Sequence, residues 1–418
     1  MERKYNFIDL FAGCGGLLDG FMQSGLVNPI ASVEWEKAPV NTLTKRLIEK
    51  WHISHAKEST MLFDVQRVDD LFNGFDDPKY GKHIGLDKLI GNQKVDFVIG
   101  GPPCQAYSVA GRIRDNNYMR DDYRNYLFEY YLKIVKRLKP KLFVFENVPG
   151  MLSAMPDGTP IINLIRRDIS KNGYEIIDDI KKYAVLDASD YGVPQERHRV
   201  ILIGLSKEFF KNSNVQDLLK WFYTNLKTKY KVKKKISVKE AIGDLPPCYP
   251  LWSDKRPSHS IPDTNISWHY SRFHSTRDVK IFQMLAEDVE SGKNLYHDSN
   301  KLCQLYNEVT GGSTKVHKYH VLLKNEPSTT ILAHLYKDGL RFIHYDPKQA
   351  RSITVREAAR LQSFDDDFDF VGSQTDAYKM IGNAVPPKLA KTIALAINDL
   401  LVKFNGEEKA YGRNSEGT

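Results

Sequence analysis

The chain predicts an α/β fold built on a mainly parallel sheet, accompanied by a second, smaller domain of irregular character. Three observations lead there. Short β-rich runs alternate with helical stretches through the first half, the alternation lapses near residue 205, and helical patterning returns at Thr354–Gln362 and Pro387–Val402. In chain order, strands are expected at Tyr5–Phe11, Ile30–Trp35, Val95–Gly100, Leu142–Glu146, Tyr183–Leu186 and Val200–Leu205. Helices are expected between them at Gly16–Ser24, Ala38–Trp51, Tyr123–Leu138 and Ile161–Asn172. Strand–helix–strand alternation of this kind makes a parallel sheet, because a parallel neighbour needs a crossover connection. Residues 206–350 carry few clean periodicities, many aromatics and histidines, and turn-rich pieces such as Gly243–Pro250. The expected division is a discontinuous first domain, 1–205 with 373–404, a second domain, 206–372, and a flexible polar tail, 405–418.

The 418 residues suffice for one large domain or two ordinary ones, and 41% hydrophobic with 27% charged residues is the balance of a globular protein. No run of about 18 apolar residues offers a membrane span. The start, Met1-Glu2-Arg3-Lys4-Tyr5-Asn6, lacks the apolar core of a signal peptide, so a cytosolic protein is expected. A net charge of +8 points mildly to a polyanionic partner. The four cysteines, Cys14, Cys104, Cys248 and Cys303, lie far apart, which argues against a disulfide framework and a zinc ribbon.

The chemistry-bearing residues gather at strand ends. Phe7-Ile-Asp-Leu-Phe11-Ala12-Gly13-Cys14-Gly15-Gly16 reads as a strand, a glycine turn and a helix start. Glycines there let a ligand approach the backbone, as in nucleotide-type sites, although a plain tight turn fits them equally well. Glu34 ends the second strand, where an acid can take ribose hydroxyls; Trp35 beside it can cover an adenine, and Asp64 suits an exocyclic amine. Three such residues in this order favour an adenosyl ligand. Gly101-Pro102-Pro103-Cys104-Gln105 follows an apolar strand and presents Cys104 on a proline-framed turn. With no second cysteine nearby, redox and metal roles recede and a nucleophile remains. Glu146 ends the strand Leu142–Phe145, where a carboxylate needs a partner or a function, a surface salt bridge included. In Gln195-Glu-Arg197-His-Arg199, period-two alternation places Gln195, Arg197 and Arg199 on one face. Arginines aimed together address a carboxylate or phosphate.

At this point the chain resembles the C5-cytosine DNA methyltransferases of bacterial restriction–modification systems. The resemblance rests on Phe-x-Asp-Leu-Phe-Ala-Gly-x-Gly-Gly (7–16), Pro-Pro-Cys-Gln (102–105), Glu-Asn-Val (146–148) and Gln-x-Arg-x-Arg (195–199). It continues through Arg-x-x-Thr-x-Arg-Glu-x-Ala-Arg-Leu-Gln-x-Phe (351–364) and Gly-Asn-Ala-Val-Pro-Pro (382–387), all in family order across nearly the whole chain.

The resemblance implies a Rossmann-like, S-adenosylmethionine-dependent methyltransferase fold. It implies S-adenosyl-L-methionine as cofactor, S-adenosyl-L-homocysteine as product and no metal. The cofactor would be held by Phe11, Ala12, Gly13, Gly15, Glu34, Trp35, Asp64, Val65 and Pro102, with Leu127, Asn383 and Ala384 closing its other side. Cys104 would attack C6 of a flipped-out cytosine, Glu146 would bind the N3/N4 edge, Arg197 would orient the base or Glu146, and Arg199 would steady the nucleophile's surroundings. Gln195 would belong to the same catalytic set. Gln105–Asp121 resembles the family's mobile DNA-closing loop, with Gln105, Ser108 and Arg112 as DNA contacts. The region 206–372 would be the target-recognition domain, with Thr310, Gly311, Gly312, Thr329 and Thr330 in its base-reading turns. Partners implied are double-stranded DNA and a cognate endonuclease that does not touch the enzyme, with no membrane and a monomeric state in the bacterial cytoplasm.

The lysines of Lys227–Lys235 suit a solvated face better than phosphate contacts, and His317 and His320 suit loop positions better than metal ligation. Three rival readings remain distinct. A tRNA cytosine-5 methyltransferase of the same superfamily would use the same chemistry, but the long region 206–350 favours DNA. A zinc deaminase needs Pro-Cys-x-x-Cys, and the third position after Cys104 is Tyr107. A DNA-binding protein with a degenerate site conflicts with the occupied chemical positions.

Overall fold

The computed structural model describes residues 4–103, 126–155, 158–314, 318–337 and 339–415, with side chains as far as residue 406. It divides into two compact units: Met1–Tyr191 with His198–Val232 and Val385–Thr418, and Gly192–Arg197 with Lys233–Ala384.

The first unit is built on one sheet. Its strands are β1 (Tyr5–Leu10), β2 (Val27–Glu34), β3 (Thr60–Leu62), β6 (Phe97–Gly100), β7 (Leu142–Asn147), β8 (Tyr174–Glu175), β9 (Val185–Asp187) and β10 (His198–Ser206), with β4 (Phe75–Asp77) and β5 (Gly81–His83) forming a separate hairpin. The order across the sheet is β3-β2-β1-β6-β7-β10-β8, with β9 also on β10. β3, β2, β1, β6 and β7 run parallel, whereas β10 is antiparallel to β7, β8 and β9. The chain leaves β1 for β2 on one side and returns to β6 on the other. That reversal is where open α/β sheets collect ligands, outside the carboxyl ends of the strands. Leu10, Gly100 and Phe145 are level in register, so the turns after β1, β6 and β7 emerge together.

β1, β2, β6, β7 and β10 follow the expected runs because their centres are buried on both faces: Phe7, Ile8, Leu10, Val98, Ile99, Val144 and Ile203 are all solvent-free. The short strands β3 and β8 were not expected, and Tyr183, expected to open a strand, ends a helical turn before β9 begins at Val185. Helix Gly16–Met22 is pinned beneath the glycine turn by a buried charge cluster. Asp19 accepts from Arg46 Nε at 2.7 Å, Trp51 Nε1 at 2.8 Å and Gln23 Nε2 at 3.0 Å. At Gly20 a Cβ would stand 2.2 Å from the Pro387 carbonyl, so only glycine lets the helix Pro387–Ser415 pack this closely. That helix runs through the stretch expected to be a flexible tail. Helix Val215–Lys229, in the segment assigned by sequence to the second domain, packs within the first unit, and residues 373–384, expected in the first, fall in the second.

The second unit is more regular than expected. Helices Thr276–Ser291 and Ser299–Thr310 are capped by Ser275 and Asp298 and both end on left-handed glycines, Gly292 and Gly311. They carry Val279, Phe282, Leu285, Leu302 and Leu305 into an apolar cluster with Tyr319, Val321 and Ile343. Beside it lies a buried polar network. Glu357 caps helix Val355–Leu361 through the Thr354 amide and receives Arg351 at 2.7 Å on each oxygen. Burial opposes its charge, yet Arg351 holds the Glu357 carboxyl well below its ordinary range.

Around this pair the histidines are neutral. His259 Nε2 donates to the Gln349 carbonyl while Ser258 donates to its Nδ1; His269 Nε2 donates to the Pro246 carbonyl and Thr354 donates to its Nδ1. Burial, reinforced by Arg351, pushes His259 and His344 down to about 4 and lowers His269 and His274. A histidine neutral in the folded state and charged below 6.5 when unfolded stabilises the fold above that pH, and the contribution is lost as pH falls from 6.5 toward 4. For the fully buried His344 the loss is on the order of 2 kcal/mol by about pH 5. Calorimetric melting across pH 8 to about 5 is therefore expected to show a plateau above neutrality and a falling midpoint, with proton uptake on unfolding, below about 6.5. A midpoint flat through that window contradicts the neutral-histidine core.

Candidate active site

The carboxyl edge of the sheet in the first unit assembles two clusters. One surrounds the turn after β1. Phe11 takes φ 59° and Gly13 φ 55°, and a Cβ built on Gly13 meets nothing within 4 Å, so the turn opens onto free space. The buried Glu34 accepts from Gly13 N at 2.9 Å through Oε2, and from Trp35 N at 2.8 Å and Glu36 N at 2.9 Å through Oε1. Burial pushes its acidity toward the neutral form, and those amides oppose the shift. Two amides fill Oε1, whereas Oε2 retains an acceptor site for a hydroxyl. Phe63 N donates to the Glu34 carbonyl, bringing Asp64 and the buried Val65 to the same edge. Asp64 accepts from Gln66 N at 3.0 Å, and the Trp35 ring is 44% exposed. Ala12 N donates to the Val33 carbonyl, and the Gly15 amide to Ala12.

This arrangement fits an adenosyl cofactor: an open backbone cradle, a hydroxyl acceptor and an uncovered flat ring. Pro102 and Leu127 are buried in the same unit. Asn383 and Ala384 belong to the second unit, where the Ala384 carbonyl accepts from Arg197 and Gln362.

The other cluster surrounds the turn after β6. Glu146, near the end of β7, pairs with Arg199 Nε at 3.0 Å. Ile201 stands opposite Glu146 in the ladder, and Arg199 lies two residues toward the strand start on the same face. Burial lowers the proton affinity of Arg199, and Glu146 opposes that. Gly101 lies beneath this carboxylate: a Cβ there would stand 2.6 Å from Glu146 Oε2 and would push the carboxylate aside. Asn147 Nδ2 donates to the Pro102 carbonyl at 3.1 Å, tying the Gly-Pro-Pro turn to the end of β7. Gly101 and Asn147 stand within the sequence motifs, which gave neither a role of its own. The only signal was their adjacency to Pro102 and Glu146.

The arginine segment is held by buried hydrogen bonds. Arg197, expected to orient the base or Glu146, is buried and donates to the carbonyls of Ile331 at 2.9 Å, Gly382 at 2.9 Å and Ala384 at 3.0 Å. Gln195, expected in the catalytic set, donates to Gln362 and to the Leu361 carbonyl and accepts from Ile331 N at 2.8 Å. Arg199 takes the place beside Glu146. β10 begins only at His198, where the chain also passes from one unit to the other, so the period-two rule does not extend back to Gln195.

Cys104, Gln105, Ser108, Arg112 and the rest of the expected loop lie outside the described residues, as does His317. Thr310, Gly311 and Gly312 form the end of a helix, with Gly311 at φ 68° and Gly312 N donating to the Thr310 hydroxyl. Thr329 is exposed, and the Thr330 hydroxyl donates to the Glu196 carbonyl at 2.6 Å. The lysine run is paired internally: Lys229 with Asp399, Lys231 with Asp190, Lys234 with Glu240. Among the described residues no group of His, Cys, Asp and Glu could hold a metal ion, and no helix is long and apolar enough to cross a membrane.

The model of the C-5 cytosine-specific DNA methylase family matches residues 5–399. The chain belongs to that family. It is 32% identical to the Type II methyltransferase M.Bpa9945I of Bacillus paralicheniformis over 94% of this chain and 98% of the relative. It is also 32% identical to Type II methyltransferase M1.HphI of Haemophilus parahaemolyticus, over 96% and 88%. The solved structure of Entamoeba histolytica methyltransferase EhMeth shares the fold at a TM-score of 0.54 and 16% identity, covering 96% of this chain and 99% of that one.

The contact between Gly101 and Glu146 makes a sharp test. Gly101→Ala must displace the Glu146 carboxylate, and a shift near 1 Å at a reacting group costs on the order of 100-fold in rate. Single-turnover methyl transfer is expected to slow by that order while the melting midpoint holds. An unaltered rate contradicts the placement of Glu146.

Proposed function

We propose that this chain methylates C5 of a cytosine in double-stranded DNA, at a specific sequence, as the modification enzyme of a Type II restriction–modification system in the bacterial cytoplasm. The observation that carries the reading is the Glu146 carboxylate, clamped by Arg199 and overhanging Gly101, three residues before Cys104 in the sequence of a chain of this family. The Type II names of the relatives support the restriction–modification setting. The long second unit supports a DNA rather than an RNA substrate.

Cytosine C5 is a weak nucleophile, so the reaction begins by raising its electron density. The Cys104 thiolate forms a bond to C6, and the C5–C6 pair moves onto C5. Glu146 holds the N3/N4 edge and favours a proton at N3 as negative charge develops there, while Arg199 keeps the carboxylate in position. S-adenosylmethionine, when bound along Phe11, Ala12, Gly13, Gly15, Glu34, Trp35, Asp64, Val65, Pro102 and Leu127, would supply an electrophilic methyl group. After C5 is methylated its proton leaves to a base, the C5–C6 double bond re-forms and Cys104 departs with its electron pair. The base must leave the stack first, at a cost of a few kcal/mol. Gln105, Ser108 and Arg112, with Thr329 and Thr330, are proposed DNA contacts. The enzyme is proposed to act as a monomer, without a metal and without holding its cognate endonuclease.

Replacing the C5 hydrogen by fluorine blocks the proton loss and should trap the Cys104 adduct. Duplex DNA carrying 5-fluorocytosine is expected to give a denaturation-resistant complex with the wild-type chain and none with Cys104→Ala. An adduct formed with RNA alone overturns the DNA reading in favour of a tRNA methyltransferase.

A further inference from the structure

The hairpin Tyr249–Ser260 of the second unit has no part in the site described so far. Its arms pair through Leu251 N to the Ser258 carbonyl at 2.9 Å and Ser260 N to the Tyr249 carbonyl at 2.8 Å. Its base is anchored in the buried histidine network through His259, and the Ser258 hydroxyl accepts from His274 N at 3.0 Å. Its tip is tied down as well. Asp254 accepts from both the amide and the hydroxyl of Thr276 at 2.8 Å, and Ser253 accepts from Lys255 N at 3.1 Å.

This fixed frame displays apolar side chains to solvent. Tyr249 is 47% exposed, Leu251 50% and Trp252 49%. Trp252 sits at φ 53°, a conformation bulky residues avoid and one that clusters at functional positions. Lys255 and Arg256 are exposed on the same tip, and the Arg256 guanidinium lies over the Phe273 ring at 5.7 Å. Asp254, the one acid of the tip, has its charge engaged at the start of helix Thr276–Ser291, which leaves the cations to dominate the crest. A narrow crest of flat apolar groups flanked by cations suits stacked bases between phosphates. A protein partner would instead call for a broad apolar patch.

We propose that Trp252, with Leu251 beside it, is an apolar wedge pressed against the base stack of the DNA substrate, and that Lys255 and Arg256 hold the flanking phosphates. This rests on the reading of the chain as a DNA methyltransferase. It places a DNA contact at a hairpin the sequence did not single out, away from the helix cap formed by Thr310–Gly312.

The test measures duplex affinity by fluorescence anisotropy across a salt series, using target DNA found by mapping methylated cytosines. Trp252→Ala is expected to weaken binding roughly 10-fold or more, the scale of one lost stacking contact, with an unchanged melting midpoint. Trp252→Phe keeps a ring and is expected to stay within a few-fold of wild type. Lys255→Ala with Arg256→Ala should flatten the slope of log affinity against log salt by about 2. Wild-type affinity in Trp252→Ala overturns the wedge, as does equal weakening in both Trp252 variants accompanied by a lowered midpoint. Failure of the wild-type chain to bind or methylate any duplex would instead overturn the underlying reading, so the two failures are distinct.

Discussion

The active edge depends on the ion pair between Glu146 and Arg199. Parallel strands deliver their carboxyl ends to one side of the sheet, which brings the turns after β1, β6 and β7 together, and Glu146 at that edge is faced by Arg199. β10 supplies it by running antiparallel to β7, so that its first residues, not its last, reach that edge. Both side chains are largely removed from water, and a buried charge left alone is far costlier than a paired one. The pair therefore fixes where Glu146 points. A side chain at Gly101 would push that carboxylate aside, and Asn147 ties the Gly-Pro-Pro turn alongside. The Gly-Pro-Pro turn, the neighbouring Glu146 and the cation behind it are thus placed with the help of one reversed strand.

The second unit solves a different problem with the same means. Arg351 and Glu357 are both fully enclosed, and their mutual bonds with the cap of helix Val355–Leu361 satisfy the carboxylate. Neutral histidines complete the network by donating to carbonyls and accepting from hydroxyls. A network satisfied in this way is rigid, because each change of protonation leaves a buried group without a partner. The hairpin bearing Trp252 grows directly from it through Ser258 and His259. A stiff polar core therefore stands behind an exposed apolar crest.

Much of the first unit was legible in the sequence. Its strands are short apolar runs buried on both faces, and each ends where glycine, proline or an acid interrupts the run, so β1, β6 and β7 fall within a residue or two of their expected bounds. Glu34 and the glycine turn were legible for the same reason, as polar or small residues at strand ends. The alternation that grouped Gln195, Arg197 and Arg199 does not hold along the whole segment, because β10 begins only at His198. The helices Val215–Lys229, Thr276–Ser291 and Ser299–Thr310 were missed because their apolar faces are broken by polar residues with structural duties. Asp288, for example, is buried and accepts from the amides of Leu295 and Tyr296. Thr310–Gly312 looked like a loop, yet a glycine after a helix is also its commonest stop. The closeness of Gly101 to Glu146 could not be read from the sequence, since the two lie 45 residues apart.

The most direct measurement identifies the modified atom. The wild-type chain, duplex DNA and S-adenosylmethionine labelled in its methyl group are incubated together, and the DNA is digested to nucleosides and resolved by mass spectrometry. The account predicts the label in 5-methylcytosine alone. Label on an exocyclic nitrogen of cytosine or adenine, or in RNA and not in DNA, contradicts it.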